Sequence, residues 1–431
     1  MKNKKQVKKQ TRLRYLGILF IIIYTVLFIE CKRESPSIEN NWLPITENVN
    51  GEIFEIQGIR ILRVWGTPYE QGYANAYLNA PDIYDVIIEA CETNNLTDEI
   101  IQSLYPLLDE MVFPAQYEQE LRGMLAGLNA RAGGAVYIPA LKRNLTFEDY
   151  FIGHIIKELN DVNCSSFTAW GPMTEDGGLI GGANRDWIDS EGNNVRRDKQ
   201  MVIIRIPNID SGQFATLCVD EPGSISGCKA INEEGLFVKQ HDADGRPKSV
   251  STGFMQDDLF YRKVVETMGA NATGTEIRNL LVPYVTNDGT NMLVGMPYNG
   301  SNTPSYKFEL DGDESYESGI SIWEPDDVRP YLVCTSHFRE RLPPPPPEQT
   351  YRFTYMTNKL ETIFNSGGAM HVTKELAWEM LENTRLSNYN AVESIIYEPN
   401  KMLMHYAFFY RGQTINDINV VTLDLEDLFK R

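Results

Sequence analysis

With 431 residues, 42% of them hydrophobic and 23% charged, the chain is long enough for one large core or two domains and carries no low-complexity bulk, which excludes a fibrous or wholly disordered protein. Its 59 acidic side chains against 40 basic ones give a formal net charge of −19, a surface that repels phosphate backbones and argues against nucleic acid as a partner. Six scattered cysteines without a C-x-x-C pair disfavour zinc ribbons and dithiol redox motifs. They predict no obligatory disulfide framework, although a pair such as Cys218 and Cys228 could oxidise in an exported chain.

The N-terminus reads as a secretory signal. Lys2, Lys4, Lys5, Lys8, Lys9, Arg12 and Arg14 precede an apolar run over 15–29 that is short for a membrane span. Phe28-Ile29-Glu30-Cys31 resembles a bacterial lipoprotein cleavage site, with Glu30 where such a site has a small residue. Lipidation of Cys31, cleavage elsewhere and a retained signal anchor all stay open; each implies an exported protein, periplasmic or on the cell surface and held to the membrane. Loss of residues 1–30 leaves 33 Lys+Arg against 58 Asp+Glu, a net charge near −25. Residues 31–50 are polar, with Pro36 and Pro44, and read as a tether.

Alternation predicts strands over 53–56 and 59–65. Thr67-Pro68-Tyr69-Glu70 then supplies an N-cap, a proline at the first helical position and a capping-box acid. Further helices are predicted at 81–92, 97–111, 116–132 and 146–159, so that 51–163 is mainly helical.

Two runs rich in small, aromatic and β-branched residues follow, separated by Thr174, Glu175, Asp176 and Gly177, and they predict a hairpin. Pairing centred on Glu175 sets Cys164 opposite Asp186 and Ser166 opposite Asn184. Alternation then puts Cys164, Ser166, Asn184 and Asp186 on one polar face, with Phe167, Ala169, Ala183 and Arg185 on the other. By itself, a lone cysteine at a strand start is commonly a small buried hydrophobe.

Beyond the hairpin, strands are predicted at 201–206, 214–219, 226–231 and 236–240, the last two joined by Asn232-Glu233-Glu234-Gly235, whose glycine supplies a positive φ. Helices at 256–268 and 275–281 precede Asn291, an amide just ahead of an apolar strand. Strands at 305–310, 319–323 and 331–334 lead into Thr335-Ser336-His337-Phe338. The five prolines 343–347 form a stiff connector. Helices at 351–364, containing Arg352, and 373–381, with Glu379 and Glu382 on a solvated face, come before strands at 391–397 and 401–409.

Cys164-Ser165-Ser166-Phe167, Trp170-Gly171 and Asn184-Arg185-Asp186-Trp187 resemble the penicillin acyltransferase-like branch of the N-terminal-nucleophile hydrolases, related to choloylglycine hydrolases and acid ceramidase. Residues 63–73 resemble the opening of that family's pro-region, and 120–127 its helix ahead of the cleavage site. The resemblance implies an α+β fold, an αββα sandwich of two antiparallel sheets between helical layers, with 51–163 as a mainly helical pro-segment and 164–431 as the catalytic domain. It implies a cut between Asn163 and Cys164, Cys164 as nucleophile, Asp186 positioning the new amino group, and Asn291 donating to the oxyanion. Asn184, Arg185, Trp187 and Phe167 would shape the pocket. Relatives carry an oxyanion asparagine six or seven residues after the glycine matching Gly235; here those positions hold His241 and Asp242, and since a carboxylate would repel the developing charge, His241 is the sensible substitute donor, the alternative being an ordinary strand-end residue. Ser336 likewise replaces an asparagine, and His337 is read as a hydrogen-bonded structural or pocket residue.

The implied activity is hydrolysis or transfer of the acyl group of an N-acyl small molecule, with no metal or cofactor. Its physical basis is that a thiol is a weak nucleophile until deprotonated, and an α-amine with a pKa of roughly 7.7–8 can take that proton near neutrality. A phospholipase B-like ester hydrolase using the same nucleophile, and a non-catalytic surface-binding protein on the same scaffold, are the alternatives. Oligomeric state is not legible in the sequence.

Overall fold

The computed structural model describes residues 42–157, 162–187, 199–243, 255–284, 286, 289–312, 316–325, 329–339, 347–385, 391–410 and 413–430. The signal segment, Cys31, most of the tether and prolines 343–346 lie outside the described residues. No helix among the described residues is long and apolar enough to cross a membrane.

The strands are β1 (Gly51–Ile56), β2 (Ile59–Gly66), β3 (Tyr137–Ile138), β4 (Arg143–Asn144), β5 (Val162–Trp170), β6 (Leu179–Trp187), β7 (Met201–Pro207), β8 (Thr216–Asp220), β9 (Lys229–Asn232), β10 (Phe237–Asp242), β11 (Thr290–Gly295), β12 (Ser305–Leu310), β13 (Ile320–Trp323), β14 (Tyr331–Thr335), β15 (Ala391–Glu398), β16 (Leu403–Tyr410) and β17 (Val421–Asp424). The helices are α1 (Pro68–Thr93), α2 (Asp98–Leu104), α3 (Ala115–Ala132), α4 (Phe147–Lys157), α5 (Asp257–Thr267), α6 (Gly274–Leu281), α7 (Pro347–Asn365), α8 (Lys374–Thr384) and α9 (Leu425–Phe429).

Two large sheets result. One runs β1-β2-β7-β8-β9-β10-β11-β12-β13 and the other β14-β5-β6-β15-β16-β17. Alternating residues on each strand go to different layers, as a pleated strand requires. From the first sheet, Ile61, Val202, Ile204, Leu217 and Phe237 meet Trp170, Leu332, Ile395 and Tyr406 of the second in a core between the sheets. Their neighbours Leu62, Ile203, Val238, Met292 and Phe308 face outward, against Ala74, Leu121, Leu128, Ile152, Leu259 and Ile277 of α1, α3, α4, α5 and α6. On the far side Phe167, Ala169, Val333, Ile396 and Phe409 pack on Met356, Leu360, Ala377 and Leu381 of α7 and α8. The architecture is therefore the four-layer αββα sandwich.

Two features depart from the sequence reading. The sheets are not wholly antiparallel, because β2 runs parallel to β7, Ile61 opposite Val202. The residues ahead of Cys164 thus supply two strands to the larger sheet as well as helices over it. The segment 97–111 also does not stay α-helical: α2 ends at Leu104, and Tyr105–Glu110 tightens into a 3₁₀ turn. Pro106 cannot donate to the preceding turn.

Local signals were otherwise decisive. Thr67 caps α1 through the reciprocal Thr67–Glu70 box, with Pro68 at the first position. Pro81 bends the same helix, with Asn79 outside helical geometry. The Tyr77 carbonyl that Pro81 cannot serve accepts instead from Arg131 Nε at 2.9 Å. Gly235 has φ +84° in the β9–β10 turn, where Asn232 Oδ1 accepts from Leu236 N at 2.9 Å. Helices α1 and α3 touch backbone to backbone: a Cβ on Gly123 would lie 2.1 Å from the Tyr69 carbonyl oxygen, and one on Gly72 2.0 Å from that of Glu120.

Gly123→Ala should therefore force the helices apart and cost about 1–3 kcal/mol, seen as a lower urea midpoint. Gly134→Ala, whose Cβ would meet nothing within 4 Å, should leave the midpoint unchanged.

Candidate active site

Strand β5 lies between β14 and β6, and its register with β6 differs from the sequence reading by one residue. Cys164 sits opposite Arg185, Ser165 opposite Asn184, Ser166 opposite Ala183, and Asn163 opposite Asp186. A one-residue slip exchanges the faces of a strand. Cys164, Ser166, Ala183 and Arg185 accordingly face the space between the sheets, while Ser165, Phe167, Asn184 and Asp186 face α7 and α8. The proposed polar face Cys164, Ser166, Asn184, Asp186 is corrected to this division.

Cys164 is buried, 2% exposed. Its Sγ accepts from Lys239 Nζ at 3.2 Å, and Lys239, on β10, also donates to the Gln240 carbonyl at 2.7 Å. Burial pushes the thiol up from its ordinary range, and the Lys239 ammonium opposes that shift. The Cys164 backbone N–H donates to Ser336 Oγ at 2.8 Å, and Ser336 N donates back to the Cys164 carbonyl at 3.2 Å. Ser336 thus brackets the peptide units on either side of the Cys164 α-carbon.

Around this thiol the inter-sheet space is ionic. Lys229 pairs with Glu393 at 2.6 Å, Lys307 with Glu309 at 2.8 Å, and Arg185 stands beside Glu393 in the β6–β15 register. His241 Nε2 lies 2.7 Å from Ser166 Oγ, and its Nδ1 lies 3.5 Å from Cys334 Sγ. Its pKa is well below the ordinary value because it is buried, with Lys239, Lys307 and Arg352 adding to the shift, so the ring is neutral. Asn291 Nδ2 donates to the Thr335 and His337 carbonyls at 3.0 and 2.8 Å. His241 and Asn291 are opposite one another on β10 and β11. Both reach the β5–β14 layer one residue pair along from Cys164, where they hold Ser166 and the end of β14 in place. His337 is lowered to about 4, chiefly by burial, and its Nδ1 lies 2.6 Å from Thr335 Oγ1.

On the outer face, Asp186 Oδ2 is paired with Arg352 Nη2 of α7, both fully buried. Arg352 Nε and Nη1 have no hydrogen-bond partner among the described residues. Asn184 Nδ2 donates to the Leu381 carbonyl at 2.8 Å, and its Oδ1 accepts from Ser394 at 2.6 Å, which ties α8 to the sheet. Phe167 is part of the same helical contact. Asn184 and Phe167 are therefore placed in packing against α7 and α8, away from the thiol, whereas Arg185 lies on the thiol's side. The side chains of Asn163 and Trp187 lie outside the described residues.

Lys239 and Ser336 are the thiol's and the amide's own partners, and the sequence reading assigned a role to neither. Alternation carried a signal for Lys239, since Phe237, Lys239 and His241 share a face. Among the described residues no group of three or more His, Cys, Asp or Glu side chains is placed to hold a metal ion, and Cys91, Cys164, Cys218, Cys228 and Cys334 are free thiols.

No protein-family model and no curated protein matches the chain. Among solved structures it is similar to an N-acylethanolamine-hydrolyzing acid amidase ortholog from Caenorhabditis elegans, at 13% identity over 55% of this chain and 93% of that one, TM-score 0.39. It is also similar to a single-site mutant of conjugated bile acid hydrolase from Clostridium perfringens, at 13% identity over 62% of this chain and 94% of that one, TM-score 0.41.

Removing one partner of a buried ion pair strands the other. Arg352→Met should cost about 3–5 kcal/mol by leaving the Asp186 carboxylate buried without its guanidinium. The double variant with Asp186→Asn should recover most of that loss in urea unfolding.

Proposed function

We propose that the chain is an autoprocessing cysteine amidohydrolase or acyltransferase of the penicillin acyltransferase-like kind, which opens an amide bond of an N-acyl small molecule through an acyl-enzyme on Cys164. One observation carries this reading: the sulfur and the backbone nitrogen of the same residue are held by different side chains, Sγ by Lys239 and N by Ser336. Those are the two atoms that an N-terminal nucleophile uses, one to attack and one to accept the proton.

In this reading the chain is cut between Asn163 and Cys164, and the freed α-amine becomes the base for its own thiol. Asp186, oriented by Arg352, takes the new ammonium from the helical side of the sheet. Arg185 and Lys239 supply positive potential between the sheets where an oxyanion on the acyl carbon develops. In the uncut chain Cys164 is buried. The piece ahead of the cut carries the attachment to the membrane, through lipid on Cys31 or a signal anchor.

A second reading, a non-catalytic surface-binding protein on the same scaffold, is favoured by that burial and by the two backbone carbonyls that already occupy the Asn291 amide.

Intact mass separates the two. Purified wild type should give two pieces, the larger beginning with Cys164, and should be labelled by thiol-reactive acyl probes. Cys164→Ala should remain whole and unlabelled. N-acyl amides and phospholipids offered side by side should show release from the amides. Full-length, unlabelled wild type from its native membrane supports the binding protein instead.

A further inference from the structure

An α-amine exists only after the chain is cut, so the cut itself needs another group to take the Cys164 proton. Among the described residues, the three lysines buried between the sheets differ in what they meet. Lys229 reaches Glu393 at 2.6 Å and Lys307 reaches Glu309 at 2.8 Å. Lys239, 2% exposed, reaches no carboxylate among the described residues; its partners are a carbonyl oxygen and the Cys164 sulfur. A buried cation held only for structure is costly without a counter-ion. A purely structural cation here would be expected to find a carboxylate, as its two neighbours do.

The geometry points to Lys239 as the catalytic base of chain cleavage at Asn163–Cys164, with Ser336 as the acid that protonates the departing nitrogen. This step rests on the reading above and precedes the chemistry of the mature enzyme. Lys239 Nζ, 3.2 Å from the sulfur in the resting chain, takes the proton from Cys164 Sγ. The sulfur bonds to the Asn163 carbonyl carbon, whose π electron pair moves onto oxygen. On collapse the carbon–nitrogen bond breaks. The nitrogen keeps the electron pair and takes the Ser336 hydroxyl proton once that hydroxyl, which in the resting chain accepts the Cys164 N–H at 2.8 Å, has turned toward it. Ser336 recovers a proton from the Lys239 ammonium through solvent, leaving a thioester on sulfur and a free amine on Cys164. Water then hydrolyses the thioester, its hydroxyl joining the Asn163 carbon and its remaining proton returning to sulfur. The same serine stands where relatives have an asparagine, which has no hydroxyl proton to give.

The test is timed cell-free synthesis of the full chain, quenched and read by intact mass, for wild type, Lys239→Met, Lys239→Arg, Ser336→Ala and Cys164→Ala. Cleavage should slow by roughly 10²–10⁴-fold in Lys239→Met. It should slow as much in Lys239→Arg, which keeps a long stem and places a fixed cation there but cannot act as a base. Hydroxylamine, which severs thioesters, should leave both Lys239 variants whole, as it leaves Cys164→Ala. Ser336→Ala should be slowed in the same assay. Three results would overturn the assignment: wild-type cleavage in Lys239→Arg, wild-type cleavage in Lys239→Met, or rapid hydroxylamine cutting of either, which would place Lys239 after thioester formation. In each of those cases Cys164→Ala still fails to cleave and the proposed function stands. A wild type that itself stays whole removes the proposed function and this step together.

Discussion

The pleat of β5 decides what Cys164 can touch. The strand is paired on both edges, to β14 and to β6, so it cannot rotate, and each side chain is committed to one side of the sheet. Cys164, Ser166 and Thr168 are delivered into the space between the sheets, where Lys239, His241 and Ser305 receive them. Ser165, Phe167 and Ala169 are delivered to α7 and α8. A second central strand supplies the complementary row, because β10 alternates Phe237, Lys239 and His241 toward the thiol's side. The contact between Cys164 and Lys239 is thus a meeting of two strand periods from different sheets.

That placement puts charge where a sandwich usually keeps hydrocarbon. Part of the inter-sheet space is oily, with Phe237 stacked on Tyr397 at 4.4 Å between ring centroids. The part around Cys164 is ionic, and its buried pairs are poor sources of net stability, since desolvating two charges consumes most of their attraction. The outer ion pair of Asp186 and Arg352 has the same character. Stability comes from the apolar layers on either side of this band and from the tight crossing of α1 and α3, where glycines let two backbones meet.

What the sequence disclosed was local or periodic. The Thr67–Glu70 box and the Gly235 turn are written in spacings of a few residues, and the structure has them; the αββα layering, which the structure also has, was implied by the family resemblance and only agreed with the local patterns. The family resemblance drew attention to β5 and β6, but their register depended on the loop between them. Its first arm, Gly171–Met173, coils into a 3₁₀ turn, so the pairing is not centred on Glu175, and a single-residue error exchanged the partners of Cys164. Which residues meet across long separations was not legible, although alternation put Lys239 on the face of Phe237 and His241. Nothing near position 164 announces Lys239, Ser336 or, for Asp186, Arg352, because each pairing is created by sheet stacking or helix docking. The parallel entry of β2 beside β7 was hidden for the same reason: a parallel neighbour leaves no turn signature.

The position of β1 and β2 bears on what a break in the backbone ahead of Cys164 would mean for the assembly. These strands form the margin of the larger sheet, β2 is zipped along β7 from Ile61 to Gly66, and α1 and α3 roof the same sheet. Severing the polypeptide would therefore yield an interlocked two-chain particle, with no fragment shed. A leash fixed to the first fragment would moor the second as well, with no covalent link between the anchor and the reactive sulfur.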